Sequence, residues 1–166
     1  MDSNTNLCIE RSENELALAK AIQYLSENEK TKTEIFNIPK ETTFYSGAIA
    51  HAYYAIFYSA KAYIISKGIK LPEQGQHQAV YYKFKKFVNE GQINEELLAL
   101  YNEIKIKAEM LLEILDKEEE NRTVYTYYKL PQANKEPAQK SIDNAQFFVS
   151  HIKALIGQVS KQEAAS

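Results

Sequence analysis

The stretch TTFYSGAIAHAYYAIFYSA, residues 42–60, carries no formal charge, and its reading decides the fold. A membrane span needs about 20 predominantly apolar residues. This stretch contains threonines, serines, a histidine and four tyrosines, and Lys61 ends it. That composition suits a buried helix of a soluble protein, not a bilayer span. Ala48, Ala52, Ala55, Ser59, Ala62 and Ser66 recur every three or four residues. They form one stripe of small side chains, along which another helix can come close. Ile49, Tyr53, Ile56 and Tyr63 flank the stripe on one side, and Tyr54, Phe57 and Ile64 on the other. A helix over about residues 43–67 with such faces is covered nearly all round, as the central helix of a bundle is.

Working outward, the apolar spacing predicts four more helices. The first runs from about Ser12 to Leu25, with Leu18, Ile22 and Leu25 on one face. The polar piece SENEKTKTE that follows leaves its end open. A helix from about Gln76 to Asn89 buries Val80, Tyr81, Phe84, Phe87 and Val88, with Lys83, Lys85 and Lys86 at other angles. The next starts after Asn94, a good N-cap, with Glu95 and Glu96 where the helix dipole favours negative charge. Its seam is Leu97, Tyr101, Ile104, Ala108, Leu111 and Leu115. The last helix opens near Pro137 and packs through Ile142, Ala145, Val149, Ile152, Ile156 and Val159. Gly68, Gly91 and Gly157 each follow an apolar run, and no alternating β-branched run marks a strand. The expectation is an all-α, up-and-down bundle of about five helices.

A chain of 166 residues supports one core. The reading is a single helical domain over residues 11–159, with a flexible lead-in at 1–10 and a flexible tail at 160–166. A net charge of −2 argues against coating nucleic acid by global charge, though not against a local basic patch. Cys8 is the sole cysteine, which rules out an intramolecular disulfide and fits a reducing compartment. The start, MDSNTNLCIERSENE, lacks a basic region followed by an apolar run, so a cytoplasmic location is expected.

A search for chemistry begins with absences: there is no Gly-rich phosphate loop, no Gly-x-Ser-x-Gly elbow and no His-Glu-x-x-His motif. No metal or cofactor is expected. His51, His77 and His151 fall on three different predicted helices, and each alone reads as structural. The acidic run 116–120 reads as a solvated helix end. Twelve tyrosines are many for this length; Tyr53, Tyr63 and Tyr101 read as core, while Tyr125, Tyr127 and Tyr128 stay open. They stand in NRTVYTYYKL, residues 121–130, beside Arg122, one of only two arginines.

Two segments together resemble the HEPN superfamily, in particular a branch of small proteins. AIAHAYYAIFYSAKAYIISKGIKLPEQGQHQAVYYKF, residues 48–84, is similar to a signature in which an A-Y-Y-A-x-F-x-A-x-x-A helix ends in Gly and a loop leads to a His. Ala52, Tyr53, Tyr54, Ala55, Phe57, Ser59, Ala62, Gly68 and His77 occupy those places. Arg122, Tyr127 and NAQFFVSHI, residues 144–152, match the later part more weakly. The resemblance implies an all-α homodimer. In nuclease members an Arg-x(4–6)-His motif lies at the dimer cleft. The arginine fork holds phosphate and the imidazole moves protons, cutting RNA without metal. Here the three histidine positions counted from Arg122 hold Tyr127, Tyr128 and Lys129. A phenol ordinarily titrates near pH 10 and is poorly matched to that task.

Two readings of Arg122 stand: the anion-binding half of a motif without its histidine, or a cap on its helix paired with Glu118 or Glu119. Three functions follow. The first is RNA or nucleotide binding at a homodimer cleft through Arg122, Tyr125, Tyr127, Tyr128 and Lys129, beside a nucleotidyltransferase partner in a toxin–antitoxin-type or defence system. The second is an active metal-independent ribonuclease, with Arg122 and Tyr127 catalytic or a histidine supplied by the fold. The third is a structural dimerisation or adaptor domain. The missing histidine favours the first.

Overall fold

The computed structural model describes the backbone of residues 2–120 and 134–164, and the side chains of 2–110 and 134–158. The described elements are α1 (Ser3–Glu27), a π-helical turn (Thr31–Ile35), α2 (Tyr45–Ser66), α3 (Gln76–Asn89), α4 (Glu95–Glu120) and α5 (Lys135–Ala164). No strand occurs among the described residues. The all-α bundle is as expected, and α2 touches each of the other four α-helices.

The central position of α2 follows from its sequence. Ala48, Ala52, Ala55, Ser59 and Ala62 are fully buried, and Ile49, Tyr53, Ile56, Phe57, Tyr63 and Ile64 are buried on the flanking faces. The helix ends where Gly68 takes a left-handed conformation (φ 73°), which lets the Ile69 N–H return to the Ile64 carbonyl. Val80, Phe84, Phe87 and Val88 of α3 enter the core, as do Leu97, Tyr101, Ile104 and Ala108 of α4. Ile142, Ala145, Phe148, Val149, Ile152 and Ile156 of α5 join them. The Asn94 side chain caps α4, accepting the Glu96 N–H at 2.9 Å. The side chains of Leu111, Leu115 and Val159 lie outside the described residues. The backbone of α5 runs through Gly157 to Ala164, so the glycine does not stop it.

α1 departs from expectation in its start and in its face. It begins at Ser3 rather than near Ser12, so most of residues 1–10 is helix, with Thr5 and Cys8 buried. Its inward stripe is Thr5, Cys8, Ser12, Glu15, Ala19, Gln23 and Ser26, whereas Leu18 is 44% exposed. Ile22 and Leu25 are only half-buried. The physical reason lies on α2: its small residues meet a second row of mostly small residues, and leucines would hold the helices apart. Ser12 Oγ reaches the main-chain carbonyl of Ala55 at 2.8 Å, and a Cβ on Gly47 would sit 3.7 Å from Ile22. Ser26 Oγ accepts the Phe44 N–H at 2.8 Å. Rising numbers on α1 therefore meet falling numbers on α2, an antiparallel pair.

The turn between them is fixed by Lys32, only 3% exposed. Its Nζ donates to the carbonyls of Ser26 (2.9 Å), Lys40 (2.5 Å) and Thr42 (2.9 Å). Ser26 belongs to the last turn of α1, whose carbonyls lack helical partners and carry the negative end of the dipole. The polar segment that left the end of α1 open thus hides a lysine that ties the hairpin shut.

Candidate functional site

The antiparallel register of α1 and α2 brings chemistry together that the sequence keeps apart. Arg11 and Glu15 are one helical turn apart on α1, and the guanidinium donates to Glu15 Oε1 at 2.8 Å. The other oxygen, Oε2, lies 2.6 Å from Nδ1 of His51 on α2. Glu15 has a side chain only 6% exposed, while those of His51 and Arg11 are 31% and 58% exposed. A nearly buried carboxylate therefore bridges two groups that reach solvent. Such a carboxylate needs partners of this kind, because an ion taken out of water without them is costly.

The site extends along one face of α2 and onto α3. The Arg11 guanidinium lies over the Tyr58 ring, 5.6 Å from its centroid. Tyr54 stands between the two histidines, 6.4 Å from the His51 ring and 5.9 Å from the His77 ring. His77, in the first turn of α3, stacks on Phe57 at 4.0 Å and shares a 2.9 Å hydrogen bond with the Tyr53 hydroxyl through Nδ1. Lys61 Nζ donates to Gln76 Oε1 at 2.7 Å, closing this end of the face. Two cations, two imidazoles and a row of tyrosines thus share one partly exposed surface with the Glu15 carboxylate.

Burial governs the protonation of its inner groups. It pushes the Tyr53 phenol up to about 12, with the charges of Glu109 and Tyr54 adding to the effect. It raises the Cys8 thiol as well, against an opposing pull from Lys61, which leaves Cys8 an unreactive core residue. For His77, burial and then Lys61 hold the imidazole below its ordinary value. Its folded-state value is the lower one, so between the two values the unfolded chain binds a proton that the folded chain refuses. Stability is therefore full above about pH 6.5, the ordinary histidine value, and falls as the pH drops toward the folded value. Urea unfolding at pH 7.5 and pH 5 checks this: His77→Phe keeps a ring on Phe57 and is expected to lose less stability across that interval than the natural protein.

His151 stands apart on α5, exposed, with Nδ1 on the Phe147 carbonyl of its own helix and its ring 3.9 Å from that of Phe147. No cluster of three metal-ligating side chains occurs among the described residues. No helix among them is long and apolar enough to cross a membrane. Arg122, Tyr125, Tyr127, Tyr128 and Lys129 lie outside the described residues. Among the residues the sequence reading missed are Arg11 and Glu15. Their only signal was a four-residue spacing, because the link to His51 exists only once the helix register is known.

Comparison with known proteins fits this architecture. A relative from Methanocaldococcus jannaschii, named "Putative toxin MJ0605", is 32% identical over 143 residues, covering 86% of this chain and 93% of its own length. The family model of the HEPN domain matches residues 9–155, from within α1 to within α5 and so across the whole bundle. With the tyrosine-rich α2 at the centre and His77 opening α3, the chain belongs to the HEPN-domain family.

Proposed function

We propose that this chain is a toxin-type HEPN protein that binds RNA or a nucleotide at a cleft between two copies of itself. A minimal nucleotidyltransferase is its proposed partner. The observation that carries the toxin-type reading is the match to a relative named as a toxin along nearly its whole length. The chemistry of the α1–α2–α3 face supports a nucleic-acid ligand. Arg11 and Lys61 offer donors to phosphate oxygens, and Tyr54 and Tyr58 offer rings to bases. Arg122, Tyr125, Tyr127, Tyr128 and Lys129 are proposed as further contacts, with Arg122 as the phosphate fork.

The test is filter binding of a mixed RNA pool by the natural protein and by Arg122→Ala, across a salt series. The natural protein is expected to retain RNA, with affinity falling as salt rises. Arg122→Ala is expected to weaken binding by about tenfold and to reduce the salt slope by about one, as loss of one phosphate contact does. Retention by neither protein would leave a dimerisation or adaptor domain as the better reading.

A further inference from the structure

α1 and α5 both pack on α2, and polar side chains cross the seam between them. Glu27 meets Lys135 at 2.8 Å, Gln23 Nε2 donates to Gln139 Oε1 at 2.7 Å, and Lys20 Nζ donates to Gln146 Oε1 at 2.6 Å. Glu13 then pairs with Lys153. Rising numbers on α1 meet falling numbers on α5, so these contacts are the rungs of an antiparallel pair. On α1 the rungs stand at Glu27, Gln23 and Lys20, about one turn apart, and the next is at Glu13. The rung due between Lys20 and Glu13 is missing. Leu16 and Ala17 stand there with Val149 and Ser150 of α5, and the seam opens into a groove of about 510 Å³. That volume lies within the range of small-molecule sites. Ala17 and Ser150 are too short to reach across, and the Ser150 hydroxyl is satisfied within its own helix by the Phe147 carbonyl at 2.8 Å. Val149 is buried and Leu16 half-buried, so the floor is apolar. The two ends differ in charge. At Glu13–Lys153 an acid and a base cancel, whereas Lys20 bonds a neutral amide, and no carboxylate pairs with it among the described residues.

We propose that the α1–α5 groove binds a medium-chain carboxylate, with its apolar chain on Leu16, Ala17 and Val149 and its carboxylate on Lys20. The chain and the floor lose apolar surface to water together, which drives association. The carboxylate supplies the negative partner that Lys20 lacks, and the ammonium keeps donors beyond the one it gives Gln146. The two bounding rungs are seven residues apart on each helix, about 10 Å of rise, which suits a chain of medium length. A neutral chain of equal length forgoes the ion pair, and a chain ending in an ammonium meets like charge. The groove does not suit a nucleotide: no aromatic ring lines it to stack a base, and Lys20 is the uncompensated cation among its lining residues. The inference is independent of the RNA-binding reading, which concerns the α1–α2–α3 face.

The experiment titrates the full isotope-labelled chain with sodium octanoate, octylammonium chloride and octanol, and follows the amide shifts by NMR. Octanoate is expected to give saturable shifts centred on residues 13–20 and 146–153. Octanol and octylammonium are expected to bind at least about threefold more weakly, since each lacks the ion pair. Lys20→Met is expected to weaken octanoate by about threefold to fivefold, the worth of one exposed pair, and to leave octanol unchanged. Ala17→Phe fills the groove from an exposed position of α1, and Ser150→Phe fills it from an exposed position of α5. Each, checked for helicity by circular dichroism, is expected to weaken octanoate at least about tenfold, because the chain loses its apolar floor. Absence of saturable shifts, or shifts centred elsewhere on the molecule, overturns the inference. So does octylammonium binding as tightly as octanoate, or natural affinity for octanoate in Lys20→Met or in both folded phenylalanine variants.

Discussion

Ala55→Leu is expected to cost the fold about 3 kcal/mol, the upper part of the range for overfilling a packed interior. Ala55 is fully buried, and its main-chain carbonyl accepts the Ser12 hydroxyl from α1. A side chain can reach the opposite backbone like this only where two helices lie close. An isobutyl group at Ala55 must push α1 outward, which breaks that bond and strains the nearby Glu15–His51 contact. In a chain of this size 1 kcal/mol corresponds to about 2–4 °C, so the melting temperature should fall by about 6–12 °C. Ala21→Leu on the exposed face of α1 is the control and should shift stability by less than about 0.5 kcal/mol. Equal effects at the two positions would mean that the α1–α2 crossing is not tight.

Lys32→Met is the second large effect. The substitution keeps most of the apolar stem but removes the donor to three carbonyls at once. Leaving a buried carbonyl such as that of Ser26 without a partner costs about 1–3 kcal/mol, the part-buried carbonyls of Lys40 and Thr42 add less, and relief from burying an ammonium offsets part of the total. A net loss of about 2–4 kcal/mol is expected in urea unfolding. Lys30→Met, two residues away, removes only a solvent-exposed pair with Glu34 at 3.9 Å. It should change stability by no more than about 1 kcal/mol. If the two variants behaved alike, Lys32 would not be the tie between the end of α1 and the loop that enters α2.

These two residues also mark how far the sequence could be read. The small stripe on α2 was plain from spacing, as were the apolar faces of α3, α4 and α5, because burying large side chains leaves a periodic trace. α1 left no such trace. Its partner is a row of alanines, so its buried stripe is Thr5, Ser12, Glu15, Gln23 and other small or polar residues, with Leu18 turned outward. Lys32 was invisible for a related reason: its charge is met by carbonyls, which have no sequence signature. The same holds for the site. His51 and His77 could be named from the sequence, but their gathering around Tyr54, and the bridge from His51 through Glu15 to Arg11, depend on helix register. The opposite case is the segment after α4, where Arg122 was conspicuous in sequence and lies outside the described residues.

The proposed RNA ligand is expected on the face built by α1, α2 and the start of α3. Ultraviolet cross-linking of the full chain to a mixed RNA pool, followed by mass spectrometry of the modified peptides, locates the ligand directly. Cross-links are expected at Tyr54 or Tyr58 of α2, or at the tyrosines of residues 121–130, and are expected to be lost at high salt. Cross-links confined to the exposed surface of α5 around Phe147 and His151, or none at all, would contradict it.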